Sequence, residues 1–345
     1  MNLRKRTIAA YASPAISIAA LSLPLGVYLP PFYTNEMGLG LSVVGSIFMI
    51  TRFWDIFTDP ILGILSDKIE TRLGRRRHWI ILSAPILMLC VYKIFMPQGT
   101  VTGMYLLFWM ILLYVGWTLL TISHMSWGAE LSSDYNERSR IQGWREFANI
   151  FGSLAVLILP TIIEQTSDGD SAMKVAAMGW FTIVLLPISV AAAVWMVPEH
   201  PLPKQVQIGW RRATSIVLKN KLLIRLLAAD LLNGMALGII SSMYIFFASH
   251  VMGLSQWVSL MLLIYIIACF LSVPAWIRLS YRFEKHRTFV IARVYFSIIL
   301  LLVFWIQPGN FWLYVLANVL LGFGNGCSGT IQTAAATLIG RSTIV

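Results

Sequence analysis

Arg52-Phe53-Trp54-Asp55-Ile56-Phe57-Thr58-Asp59-Pro60 sets three charged side chains inside an apolar stretch that runs from about residue 40 to residue 66. A helix needs about 20 apolar residues to cross the hydrocarbon of a bilayer. The stretch is long enough, so the charges lie at membrane depth, where each costs several kcal/mol unless it is paired or faces a polar space. At about 100° per residue, Arg52, Asp55 and Asp59 fall within about 60° of one another on one helix face. Two carboxylates one turn apart, with a guanidinium one turn earlier, suit two jobs. They can hold a small cation, because carboxylate oxygens suit hard ions and close like charges favour taking up a proton. Or they form a static ion-paired cluster that fastens helices. Pro60 permits a kink and frees a backbone carbonyl.

Outward from this stretch the whole chain has the same character. Of its 345 residues, 58% are hydrophobic and only 12% charged, against roughly 25% charged in soluble domains. Thirteen Trp, twelve Tyr and eighteen Phe suit two interfacial belts. Ten stretches are long enough to cross, at about 9–33, 40–66, 78–97, 103–127, 146–164, 175–197, 222–248, 255–279, 288–306 and 311–340. The fold class is an all-α polytopic membrane protein. Cys90, Cys269 and Cys327 lie far apart in apolar runs and show neither a disulfide nor a metal spacing; buried small hydrophobes is their expected role.

The net charge of +11 does not point to nucleic acid, because the basic residues cluster in alternate connections between the apolar runs. Arg4, Lys5 and Arg6 precede the first. Lys68, Arg72, Arg75, Arg76 and Arg77 follow the second; Arg138, Arg140 and Arg145 follow the fourth. Lys204, Arg211, Arg212, Lys219, Lys221 and Arg225 follow the sixth, and Arg278, Arg282, Lys285, Arg287 and Arg293 the eighth, in all 22 of the 26 basic residues. This bias places those connections and the N-terminus in the cytoplasm of a cell whose inner membrane holds the chain. The opposite side keeps Lys93, Lys174 and the acidic loop 164–171. Leu3-Arg4-Lys5-Arg6 with its apolar continuation past Pro31 is an uncleaved first span.

The long polar connection at 198–221 divides the chain into a six-span half, 1–197, and a four-span half, 222–345. GILSDKIETRLGRRRHW after span two and WIRLSYRFEKHRTF after span eight place a basic cluster at the same point of each half, as parallel repeats do. Repeat symmetry predicts two further helices after span ten, so the chain is expected to be truncated at its C-terminal end.

Within the loop after span two, Gly63 is expected to allow close helix packing, and Asp67 to cap a helix or pair with basic groups. Gly74, Arg75 and Arg76 either hold one conformation through charge-assisted bonds or serve topology alone. Asp230 and Asn233, one turn apart at the start of span seven, either form an inner gate or satisfy a helix end. Gly322, Gly324, Gly326 and Gly329 are spaced for helix contact. No nucleophile–base or metal-ligand constellation is present, so the sequence does not read as an enzyme.

G-x-x-x-D-K followed by G-R-R-R between spans two and three resembles the loop signature of the major facilitator superfamily. RFWDIFTDP, GRRRHW and WGAELSSDYNERSR (127–140) together resemble the glycoside–pentoside–hexuronide:cation symporter family. The resemblance covers the first 200 residues well and the rest loosely. It implies a major facilitator fold with about ten of the usual twelve helices, and cation-coupled symport of a glycoside or related small solute. Asp55 and Asp59 then bind the coupling ion, Na⁺ or H⁺, with Thr121 on the fourth helix assisting. Trp127 and Arg145 match the sugar site, and Arg52 and His124 join them as candidate substrate contacts. His124 either bonds substrate or relays protons, or is a packed neutral histidine. Gly63, Asp67, Gly74, Arg75, Arg76 and Asp230 are the candidate gating residues.

Family members that grip sugar hydroxyls carry an acid on the first and on the fourth helix. Here those regions read Ser17-Ile18-Ala19-Ala20 and Ser123-His124. An amphiphile or lipid-like cargo is therefore a second expectation, and a non-transporting sensor or inactive fragment a third. The expected partners are a small solute, a coupling cation and the lipid bilayer, with no nucleic acid, no cofactor and no structural metal; a monomer is expected.

Overall fold

The computed structural model describes residues 3–71, 73–132, 134–166, 170–198, 220–283 and 285–326. Ten long helices follow one another among them: α1 (Lys5–Val27), α2 (Leu41–Lys68), α3 (Arg77–Phe95), α4 (Gly103–Glu130) and α5 (Tyr135–Thr166) come first. They are followed by α6 (Ser171–Met196), α7 (Lys221–Phe246), α8 (Val258–Phe283), α9 (Lys285–Val303) and α10 (Phe311–Asn325). Eight of the helical segments, from Lys5–Val27 to Ser255–Trp276, are long and apolar enough to cross a membrane. Short connections make sequential helices antiparallel, so one end of the bundle gathers Arg75–Arg77 and is its basic end. The far end carries the α1–α2, α3–α4 and α5–α6 connections. The linker 198–221 falls on residues 199–219, and the chain end, with Cys327 and Gly329, on residues 327–345; both lie outside the described residues.

Helix boundaries depart from the apolar runs where backbone chemistry intervenes. The first run does not stay one regular helix. Pro30 and Pro31 lack N–H groups, and α1 gives way to a wide π-type turn over Phe32–Glu36, closed by the Met37 amide on the Phe32 carbonyl at 3.2 Å. At Gly38 φ is +69°, a left-handed conformation that glycine adopts without strain, and the Leu39 amide closes the cap on Tyr33 at 3.0 Å. The same device ends α7. Met252 bonds back to Phe247, Gly253 has φ +68°, and Leu254 bonds back to Ala248 at 3.0 Å. Met-Gly-Leu occurs at both places.

The apolar core of the first six helices includes Ile8, Leu21, Ile80, Leu87, Met110, Leu113 and Leu157, all at most 1% exposed. A second cluster of α7, α8 and α10 holds Met252, Met261, Tyr314 and Ala317. Close approach of backbones depends on glycine. A Cβ at Gly152 on α5 would collide with the Ile16 backbone of α1, and one at Gly322 on α10 with the Tyr265 carbonyl of α8. Gly324 and Gly326 are likewise tight, against Tyr295 and Cys269, as their spacing implied. Gly63 is not. A Cβ there would meet nothing among the described residues, so the close packing expected of Gly63 is not seen among them.

The first six helices and the last four meet along α1–α7 and α5–α8. Among the described residues α7 stands apart toward the basic end: a Cβ at Gly234 or Gly238 would meet none of them, and Leu227, Leu231, Met235 and Ile239 are exposed. At the far end the two groups touch, with Ser241 of α7 close against Gly26 of α1.

Candidate functional site

The decisive residues lie midway along α2, whose 28 residues span about 42 Å at about 1.5 Å per residue. Arg52 approaches Asp55 at 3.9 Å, with its own side chain 66% exposed and that of Asp55 only 18%. This is a long, loose pair. The guanidinium lies over the ring of Tyr114 on α4, 5.2 Å from its centroid, where cation–π attraction holds it. Asp55 Oδ1 is buried and has no hydrogen-bond partner among the described residues, and the same is true of the Tyr114 hydroxyl. Asp59, one turn on and exposed, accepts a hydrogen bond from Thr118 Oγ1 at 2.8 Å. The α2 face thus presents two carboxylates that protein donors satisfy only in part. Buried acceptors are ordinarily bonded, so the arrangement suits a hard cation or a proton.

Thr121, the expected fourth-helix partner, turns its hydroxyl back onto its own helix, donating to the Trp117 carbonyl at 2.8 Å. Thr118 sits three residues earlier, almost one turn toward the level of Asp59, and makes the contact instead.

His124 and Trp127 are built into the seam between α1 and α4. His124 is 1% exposed, its Nε2 lies 2.7 Å from the Tyr11 carbonyl, and its ring stacks on Tyr11 at 4.5 Å. Trp127, also 1% exposed, meets Tyr11 edge-on and has Arg77 over its ring at 5.8 Å. A Cβ at the next residue, Gly128, would strike the Tyr11 ring. Of the two readings of His124, the structure shows the packed one. Arg145 on α5 is half-buried, and its charge acts on both Tyr11 and His124. It therefore stands near this seam.

At the basic end the loop between α2 and α3 folds back on itself. Gly74 has φ +107°, and the Thr71 hydroxyl donates to its carbonyl at 3.0 Å. The turn aims Arg75 and Arg76 at Glu130 on α4, each at 2.9 Å. Arg76, with its side chain 4% exposed, also reaches Asp67 at 2.5 Å and Ser66 at 2.9 Å. Arg77 donates to the Val197 carbonyl after α6. The basic run is thus more than a topological signal: it ties the ends of α2, α4 and α6 together. Glu130 was the member not singled out in the sequence, although it sits within the quoted WGAELSSDYNERSR. Asp230 lies on α7, and its side chain is outside the described residues.

Comparison with known proteins fits this geometry. The chain is 28% identical over 148 residues to the inner membrane symporter YicJ of Escherichia coli strain K12, covering 42% of this chain and 32% of that one. It is 26% identical over 188 residues to the isoprimeverose transporter of Lactiplantibacillus pentosus, covering 53% of this chain and 38% of that one. Each match therefore spans about a third of the relative's length. The structure of the nucleoside transporter NupG superposes on 98% of this chain and 83% of its own, with a TM-score of 0.64 at 15% identity; at that identity the likeness shows the fold, a major facilitator fold. The family profile described as MFS/sugar transport protein matches residues 10–340, and the chain belongs to that family.

Proposed function

We propose that the protein is a secondary active transporter of the inner membrane that couples inward movement of Na⁺ or H⁺ to uptake of a glycoside or related small solute. The observation that carries this is the α2 carboxylate pair: Asp55 Oδ1 buried without a partner and Asp59 bonded by Thr118 Oγ1. An ion arriving between them neutralises the pair and lets the helix face pass through a less polar environment. The solute then binds alongside, and two halves, 1–197 and 222–345, rock about it. The charge bias supports a cytoplasmic basic end and N-terminus, with one chain sufficient for the path.

The test is gradient-driven uptake into cells, with Asp55→Asn and Asp59→Asn separately introduced. Both are expected to abolish the ion-dependent part. Unchanged ion-driven accumulation in both variants would refute the reading. Competition by a panel of glycosides against lysolipids names the cargo class; inhibition by lysolipids alone would replace the glycoside.

A further inference from the structure

At the far end, four hydrogen bonds described between α1–α6 and the last four helices converge around one buried acid. Glu164, near the end of α5, has a side chain 2% exposed and pairs with Lys174 of α6 at 3.0 Å. Its Oε2 accepts the Ser259 amide at 2.9 Å, and its Oε1 accepts the Ser259 hydroxyl at 2.6 Å, at the start of α8. Tyr28, at the end of α1, donates to that same hydroxyl at 2.8 Å. The neighbouring Gln165 adds a bond of 3.4 Å to the Gln256 carbonyl. Beside the cluster opens a cavity of about 330 Å³, lined in part by Tyr28, Glu164, Lys174, Ser249 and His250. Among the described residues no comparable link between the two groups is present at the basic end, where a Cβ at Gly234 or Gly238 of α7 would meet none of them.

We infer that Glu164 is the latch of the outer gate: bonded as here, it shuts the far side, and the cavity beside it is the vestibule that opens when the latch releases. The inference rests on the reading of the chain as a transporter whose far end faces outward. A carboxylate in a nearly dry site, held by an ammonium, an N–H and an O–H, makes strong bonds. Both Ser259 bonds cross the seam that must part for the far side to open, whereas the Lys174 bond stays within the first six helices. Opening therefore replaces these two bonds, together with the Tyr28–Ser259 and Gln165–Gln256 links, by water and leaves the Lys174 ion pair in place.

The test reads the gate without reading transport. Cys90, Cys269 and Cys327 are replaced by Ser, and Gly238→Cys places a thiol on the face of α7 that carries Ser241, one turn toward the basic end. Intact cells are treated with a membrane-impermeant maleimide, which reaches that thiol only when the far side opens. Adding Glu164→Gln is expected to accelerate labelling about tenfold, the loss of one charge-assisted bond, and Ser259→Ala severalfold. Tyr105→Phe, which removes a far-end bond to the Lys93 carbonyl within the first six helices, leaves the rate unchanged. Ser259→Ala also covers the case in which Glu164→Gln fails to fold. Labelling no faster in either gate variant than in the parent overturns the inference. Because uptake is not the readout, loss of the coupling-ion reading through the Asp55 and Asp59 variants leaves this result standing, and the reverse holds too.

Discussion

Tyr11 and His124 are bonded to each other twice. The His124 ring nitrogen Nε2 lies 2.7 Å from the Tyr11 carbonyl, and the Tyr11 hydroxyl donates to the His124 carbonyl at 2.9 Å. A carbonyl only accepts, so Nε2 carries the proton. Side chain to backbone in both directions, the pair fixes the rotation of α1 against α4 in a seam where both residues are buried. Tyr11→Phe is expected to lower stability by about 1 kcal/mol through the lost buried bond. His124→Ala should lower it by about 3 kcal/mol, because a cavity is added to the lost bond. Thermal unfolding in detergent checks both; a larger loss for Tyr11→Phe than for His124→Ala would contradict this account.

Gly128→Ala is expected to be worse than a methyl group suggests. Its Cβ would sit on the Tyr11 ring, and overpacking of this kind costs about 1–3 kcal/mol. The double variant Gly128→Ala with Tyr11→Ala should recover part of the loss, and a thermodynamic cycle on the purified protein measures the coupling. Purely additive effects would show that the two residues do not meet.

Arg75 and Arg76 both reach Glu130, but they are not equivalent. Arg76 has a 4% exposed side chain against 24% for Arg75, and also bonds Ser66. Arg76→Ala leaves partners of a buried charge behind and should destabilise by about 3–5 kcal/mol. Arg75→Ala should cost less, about 1–2 kcal/mol, since its side chain is 24% exposed and partly solvated and Arg76 still holds Glu130. The comparison of melting temperatures decides, and equal shifts would argue against the burial difference.

Thr118 and Thr121 separate by register. Thr118→Val removes the donor from Asp59, and the concentration of coupling ion needed for half-maximal uptake should change about tenfold, as for a hydrogen bond to a charged group. Thr121→Val, whose hydroxyl only bonds its own helix, should leave ion dependence where it was. Ion titration of uptake is the measurement.

Most of the helix layout was legible because crossing a bilayer leaves a coarse imprint on sequence: each of the ten apolar runs holds a helix among the described residues. The misplaced boundaries arise where something other than apolarity rules. α5 begins at Tyr135 rather than near 146, because Glu137, Arg138 and Arg140 are helical yet polar. The carboxylate pair was legible from charge at depth, and Asp67 from its basic neighbours. Thr118 was not, since a threonine gives no signal of which side of a helix it will present. Glu164 read as part of an acidic loop because its partners, Lys174 and Ser259, come from other helices. The paired Met-Gly-Leu caps at Gly38 and Gly253 were visible in principle, as a repeated tripeptide after each half's first apolar run.

For the proposed transporter, links at the far end, with none comparable among the described residues of the basic end, give no built-in direction. On that proposal, a handful of polar links and a strip of side-chain contact would separate two postures, a difference of the order of a few kcal/mol, comparable with what a single bound ion or solute contributes. Net flow is then dictated by whichever concentration difference is steeper. As proposed, a transporter that fills a cell from a dilute medium would empty it if the gradients were reversed.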